Sequence, residues 1–519
     1  MLLEKFLRQK FLMKIFIFNP LYTTPLDSRY EKYFIRAGSR WPHSGIKRKG
    51  TLPHYLPFPF FLAYAAAWLK KEGFETATCD CVAMNLPLEQ LLARIEEEKP
   101  DLLFFETATP TINQDLDFVR RLKQRLSGAR IILGGPHSSV YPVEILKENP
   151  EIDFIVIGEY EESLVELAKA LRDKLPVEGV KGIVYREAGG SVKFSGPGGL
   201  IDPLDRLPAP AYDMFPSSWR PEPAVYWDGF CQHRPALQMH ASRGCPYKCD
   251  FCLWNQVMYA NGRYRTFPAS RVVDGMVELK SRYKAREIYF DDDDFTINPA
   301  QVEAIAGEII RRGLDIKWSC MGDAINLNRE LVKKMAASGC VGIKFGVESG
   351  SRRMLEHVGK PLDLDRIRET VRWCGESGIK THATFSLGLP EDDIESLRET
   401  LKFLESFNAD SIQVSICTPF PGTRFFKKAE AEKLLKTMDW EKYDGKASDV
   451  VKHPRIDLET VETLRAGAIK RWLFNRLVSP AWLFRQSRYF FRILRGLGPK
   501  FIFGQLRSLV EEEFLLSKK

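Results

Sequence analysis

The sequence predicts an α/β protein with an N-terminal doubly wound parallel sheet, then a partial (β/α)6 TIM-like barrel, then a helical C-terminal region. Three observations predict this. Apolar runs of strand length alternate with amphipathic stretches of helix length from Met13 to about 182. After a Gly- and Pro-rich stretch the alternation resumes near 236 and gives six more strand–helix repeats. From about 431 the chain reads as helical and basic. At 519 residues the chain has room for roughly three or four domains. With 44% hydrophobic and 28% charged residues it is neither collagen-like, wholly disordered nor a small disulfide scaffold.

In order along the chain, residues 1–12 read as a short basic extension or the product of an upstream start codon. Charges interrupt the apolar stretch at the N-terminus and no small-residue cleavage site follows, so no signal peptide is expected. No run of about 18 uncharged apolar residues indicates a spanning helix, and a cytoplasmic location is expected. MKIFIFNP is a strand, and residues 21–59 read as a long loop. FFLAYAAAWLKKEG is a helix with a Gly stop, ETATCDC a strand, and LEQLLARIEEEKP a helix stopped by Pro100. DLLFFETAT, RIILGGPH and FIVIGEYE are strands, with helices at DFVRRLKQRLSG and ESLVELAKAL. This Rossmann-like series covers 13–182. Such sheets bind ligands at the carboxyl ends of their strands, where GlyGlyProHis (134–137) and GlyGluTyrGlu (158–161) fall. Residues 183–235 read as a linker. The barrel strands expected in 236–430 are ALQMHAS, REIYFDD, IKWSCM, GIKFGVE, KTHATFSLG and SIQVSIC. Residues 431–519 form the helical basic region.

Ten cysteines in a chain this long are no disulfide framework. Cys245, Cys249 and Cys252 crowd into the loop after ALQMHAS with C-x3-C-x2-C spacing. Such a loop can wrap three thiolates around one face of a [4Fe-4S] cluster and leave one iron open. A structural zinc site is the alternative, with Cys231 or His240 as a fourth ligand; chance clustering is a third.

SerArgGlyCysProTyrLysCysAspPheCys (242–252) resembles the signature of the radical S-adenosylmethionine enzymes. The resemblance implies that the open iron chelates S-adenosylmethionine, which one electron splits to a 5′-deoxyadenosyl radical able to take hydrogen from an unactivated carbon. Phe251 would then pack near the adenine, or serve only in loop packing. IleTyrPheAspAspAspAsp (288–294) resembles the family's second strand, which places Asp292 and Asp293 near the methionine ammonium. An acidic strand end suits an ammonium, although a solvated turn or a divalent-cation site would look the same. GlyValGluSerGly (346–350) resembles the fourth strand, with Glu348 in the barrel mouth. GlyLeuProGluAsp (388–392) and ThrProPheProGlyThr (418–423) resemble the fifth and sixth strand ends, where Gly388 lets backbone approach a ligand or simply makes the turn. One departure is clear. Many relatives carry an Arg after the third strand, and this chain has MetGlyAspAla (321–324), which puts Asp323 there.

The order of domain, GlyGlyProHis, GlyGluTyrGlu, linker and cysteine loop resembles the cobalamin-binding subclass of that family. Gly134, Gly135, His137, Gly158 and Glu159 are the positions this implies for cobalamin, with hydrogen bonds from Thr107 and Thr109. GGPH alone also fits a plain strand-end turn. No Asp-x-His-x-x-Gly motif follows Cys79-Asp80-Cys81, so cobalt should lack an imidazole ligand from that loop. The same absence would fit a domain that has lost cobalamin. His137 reads more readily as a hydrogen-bonding turn residue than as a ligand.

Ten Lys or Arg and no acid lie between Arg465 and Arg507, more than the whole surplus of +8. Interleaved with Trp, Phe and Leu, this stretch suits a membrane interface or packing on the barrel, and nucleic acid less well. If it meets a membrane, the enzyme would sit peripherally at the inner membrane face and a lipid-like substrate follows. The expected function is cobalamin-dependent methylation of an unactivated carbon, with a small-molecule or lipid-like substrate and an electron donor such as flavodoxin or ferredoxin. The alternatives are an oxidative cyclase or rearrangement enzyme of the same family, and a metal-stabilised nucleic-acid or membrane binding protein.

Overall fold

The computed structural model describes residues 13–497 apart from 41, 54 and 446–448. The expectations for residues 1–12 and for the end of the basic stretch lie outside the described residues.

Five parallel strands form the centre of the first sheet: Lys14–Asn19, Glu75–Asp80, Leu102–Glu106, Arg130–Gly134 and Phe154–Val156. Their spatial order is second, first, third, fourth, fifth. That order creates a topological switch point between the first and third strands at their carboxyl ends. Ile15–Phe18 and Leu102–Phe105 are fully buried, as strands covered on both faces must be. The stretch read as a linker extends this sheet at both edges. Ile183–Arg186 and Val192–Phe194 add antiparallel strands at one edge, and Pro216–Ser217 pairs with Glu75–Asp80 at the other.

Residues 21–59 are not the long loop the sequence suggested. They hold a three-stranded antiparallel sheet, Thr23–Pro25, Tyr30–Ile35 and His43–Arg48. Glu31, Lys32, Gly45 and Lys47 stand where apolar alternation would have marked these strands. Arg36, just past the second of them, plugs the switch point. It donates to Asp115 (2.5 Å), Thr111 (3.0 Å), Asn19 Oδ1 (3.1 Å) and the Glu106 carbonyl (2.9 Å).

The helix Phe60–Lys71 is buried around nearly its whole girth, from Phe60 to Ala66 and at Trp68 and Leu69. A helix apolar on all sides needs partners on all sides. It finds them between the two sheets: Phe61 meets Tyr160 of the first domain and Trp254 of the second. One continuous hydrophobic core therefore includes residues of both sheets.

The second sheet has all six expected strands, Ala236–Met239, Glu287–Phe290, Lys317–Gly322, Cys340–Glu348, Lys380–Leu387 and Ser411–Ile416. They are parallel and lie in chain order. An open barrel leaves its last strand as a bare edge, which must be covered. The helix Leu458–Leu477 does this, with Arg465 donating to the Val414 carbonyl (3.3 Å). The C-terminal region is less helical than expected. Among the described residues between Leu434 and Asp457 it holds one helical turn, the 3-10 turn Trp440–Lys442. This strap crosses the seam between the domains: the Trp440 ring packs on His137 and Phe426, and Asp444 accepts from Lys32 and Ser44. The helices Leu458–Leu477 and Pro480–Leu497 follow. No helix among the described residues is long and apolar enough to cross a membrane.

Candidate active site at the barrel mouth

The cysteine loop runs from the short strand Ser242–Arg243 to the helix Leu253–Val257. Gly244 opens it with φ +84°, and a Cβ there would lie 2.7 Å from the Arg263 carbonyl oxygen, so only glycine fits. Cys245, Cys249 and Cys252 are free thiols and partly exposed. The loop's shape is fixed from behind. The Gln256 amide donates to the carbonyls of Cys249, Asp250 and Cys252 at 3.0–3.1 Å. Asp250 accepts from Arg424 (2.6 Å), directly after ThrProPheProGlyThr. That sixth-strand motif therefore buckles the cysteine loop.

Three pre-shaped thiols suit one face of an iron–sulfur cluster. Burial raises the pKa of all three, to about 12 at Cys249 and about 11 at Cys252, so metal binding must displace their protons. Among the described residues no three His, Cys, Asp or Glu converge on one point as a single ion requires. The zinc alternative also loses its fourth ligands. Cys231 is buried among Trp227, Phe230, Ala236 and Tyr289, and the His240 ring stacks on Phe60 with centroids 3.7 Å apart.

The acidic strand end is more ordered than the sequence suggested. Asp291 pairs with Arg40 (2.9 Å), whose guanidinium also donates to the Asp291 and Asp292 carbonyls. Asp292 is fully buried, and its oxygens accept from Ala241 N–H (2.9 Å) and Ser242 Oγ (2.5 Å). Burial pushes its pKa to about 8. It braces the root of the cysteine loop and is not an open acceptor for an ammonium. Asp293 accepts from Gly244 N–H (2.9 Å) and is the partly exposed member of the run. Asp294 is tied to Thr296.

Glu348 has φ +66° beside an irregularity in the strand pairing. Its carboxylate accepts from Ser386 (2.9 Å) and lies 3.6 Å from Lys360 Nζ. Lys360 also pairs with Asp323 (3.0 Å). This accounts for the departure after the third strand: with an acid there, Lys360 supplies the cation. Burial alone would lower the lysine's pKa, but Asp323 and Glu348 raise it, so the ammonium stays charged beside the cysteine loop. Gly388 has φ +69°, and what approaches it closely is His453 of the C-terminal strap, 3.1 Å from where a Cβ would stand. Phe251 is partly buried against a satellite core that includes Leu389 and Phe425, which is the packing role.

In the first domain, a Cβ on Gly134 would lie 2.9 Å from the Phe104 ring, and one on Gly135 (φ +90°) would lie 2.6 Å from the Thr107 carbonyl oxygen. Both glycines close the turn onto the neighbouring strand. His137 is buried and hydrogen-bonded to Thr109 (3.2 Å), and burial lowers its pKa to about 3, so it is neutral. Thr107 Oγ1 accepts from Ser138 N–H (3.1 Å). Gly158 (φ +66°) lies against the Met258 carbonyl of the barrel. Glu159 departs most from expectation. Its two oxygens take Arg243 (2.8 Å), Arg265 (2.6 Å) and Ile201 N–H (3.0 Å), which leaves it committed to protein and not to a cofactor. Glu161 takes the other arm of Arg243 (2.6 Å). Two acids and two arginines thus neutralise each other in a buried site. They lock the residue before Gly244 to the first domain. The uncharged side chains at these strand ends are Thr107, Thr109, His137 and Ser138, all buried.

The site thus joins a three-cysteine loop after the first strand of a partial barrel to a doubly wound sheet. Residues 239–404 match the family profile described as Radical SAM superfamily, and residues 54–168 that of the B12 binding domain. An uncharacterized methyltransferase of Pyrococcus horikoshii is 32% identical over 74% of this chain and 81% of its own. The chain therefore belongs to the cobalamin-dependent radical S-adenosylmethionine methyltransferase family. Membership sets its cofactors as a [4Fe-4S] cluster, S-adenosylmethionine and cobalamin. An anaerobic magnesium-protoporphyrin IX monomethyl ester cyclase of Rubrivivax gelatinosus is 27% identical over 74% of this chain and 68% of its own. In fold, the chain is similar to the radical S-adenosylmethionine methyltransferase TsrM of Kitasatospora setae, solved with cobalamin and a [4Fe-4S] cluster. The TM-score is 0.63, the identity 17%, and the cover 91% of this chain and 90% of that one.

Arg40, Lys360 and Arg243 were missed as site residues in the sequence. Arg40 meets Asp291 across 251 residues, and no local pattern announces such a partner. The acid at Asp323 was the one available signal, since a lone acid in a site that holds anions calls for a cation.

Proposed function

We propose that this enzyme methylates an unactivated carbon of a hydrophobic, lipid-like small molecule, with electrons from a flavodoxin or ferredoxin. The observation that carries the reading is the cysteine loop clamped by buried charge to the B12-binding sheet, which holds two cofactor sites in one rigid frame. When bound, the cluster and S-adenosylmethionine supply the radical and cobalamin carries the methyl group. In this assignment Cys245, Cys249 and Cys252 hold the cluster. Asp293 and Glu348 would position S-adenosylmethionine, with Lys360 3.6 Å from Glu348 holding it in place. Asp292 and Arg40 orient the loop. The strand-end turns at Thr107, Gly134, Gly135 and Gly158 would receive cobalamin. The hydrophobic substrate class is supported by the Rubrivivax relative, whose name gives a porphyrin ester as what it cyclises.

That relative also favours a second reading, oxidative cyclisation without methyl transfer, because the same radical begins both reactions. Product mass separates them. With methyl-deuterated S-adenosylmethionine, a methylase product carries the labelled methyl group, whereas a cyclase product loses two hydrogens and no label. Label-free product with 5′-deoxyadenosine formed would overturn the methyl-transfer reading.

A further inference from the structure

Half of the large apolar side chains exposed among the described residues lie within one short stretch, Leu473 to Phe491. On the helix Leu458–Leu477 and its end they are Leu473, Phe474, Leu477 and Val478. On Pro480–Leu497 they are Leu483, Phe484, Phe490 and Phe491. The spacings i, i+1, i+4, i+5 and i, i+1, i+7, i+8 put each set on one helix face. The opposite face of the second helix is the one that packs. Trp482 donates to the Asp410 carbonyl (3.3 Å), Arg485 pairs with Asp410 (2.9 Å), and Tyr489 is buried beside Lys380. Phe474 and Phe484, each about two-thirds exposed, therefore point away from the protein by construction. The flanks are cationic: Lys470 and Arg488 are exposed and make no ion pair among the described residues. No acid stands between Arg465 and Arg507 to offset them.

We propose that this helical hairpin docks the enzyme on the surface of an anionic lipid bilayer. Neither helix can cross a membrane. An apolar face flanked by Lys and Arg, with no acid, instead lies in the interface plane with its cations on lipid phosphates. Lys380 and Asp410 mark the amino ends of the barrel strands, so the hairpin sits at the end opposite the cysteine loop. It is an anchor and does not line the active site. The inference goes beyond the methylase reading and does not rest on it, because docking is read without substrate.

The test is co-sedimentation of the full-length protein with phosphatidylcholine vesicles, with and without roughly a quarter phosphatidylglycerol. The protein should pellet with the anionic vesicles, bind the neutral ones at least about tenfold more weakly, and release in high salt. Lys470→Glu with Arg488→Glu, and separately Phe474→Ser with Phe484→Ser, should each weaken anionic binding by about tenfold or more and leave thermal unfolding unchanged. Equal binding to both vesicles overturns the proposal. So does no binding by the full chain. A dimer dissolved by the Phe→Ser pair in light scattering, without vesicle binding, overturns it in favour of a second copy.

Discussion

Glu159 has no free oxygen to offer a cofactor, because Arg243, Arg265 and Ile201 N–H take both of them. Removing one member of a buried ion network leaves the others uncompensated, at about 3–5 kcal/mol. Glu159→Gln should therefore lower stability by about that amount in denaturant unfolding, while the folded fraction still binds cobalamin. A large loss of cobalamin affinity at unchanged stability would restore the cofactor role. Glu106 gives a pH prediction. It is buried, accepts from Tyr160 Oη (2.6 Å), and burial raises its pKa from 4.5 to about 7. Between those values the folded state keeps a proton that the unfolded chain gives up. The contribution is fully present below the unfolded value and is lost as pH rises through about 7. The slope for one proton is at most about 1.4 kcal/mol per pH unit. Unfolding of the cofactor-free protein across that range should show this decline, and Glu106→Gln should flatten it.

At the scale of elements, the strands and most helices were legible because each buries an apolar run of its own period. All six barrel strands and the helix Phe60–Lys71 fall where apolar length and Gly or Pro stops put them. The insert at 21–59 was not legible, since Lys47 of one strand is spent on Glu31 of its neighbour (2.5 Å), which reads as loop polarity. In the site, the crowding of the three cysteines into one loop was legible from their spacing. The fate of Glu159 was not, because its partners lie 84 and 106 residues away. Helix Phe60–Lys71 has a further consequence as the shared wall of both domains. Phe61→Ala removes a ring that touches Tyr160, Trp254 and Arg243. It should cost about 3–5 kcal/mol. The loss should appear in a single transition; a barrel that unfolds separately at unchanged stability would contradict the shared core.

At the scale of the whole molecule, the two sheets, the buried arginine clamp and the C-terminal strap hold the cysteine loop against the B12-binding domain in one frame. The claim that this frame serves two cofactors at once is tested most directly by loading both. The protein is purified without oxygen and reconstituted with iron, sulfide and cobalamin, and iron content and cobalamin absorbance are measured on the same sample. The account predicts about four irons and one cobalamin per chain. Iron at that level with no cobalamin would contradict it and leave a radical enzyme whose first domain binds something else.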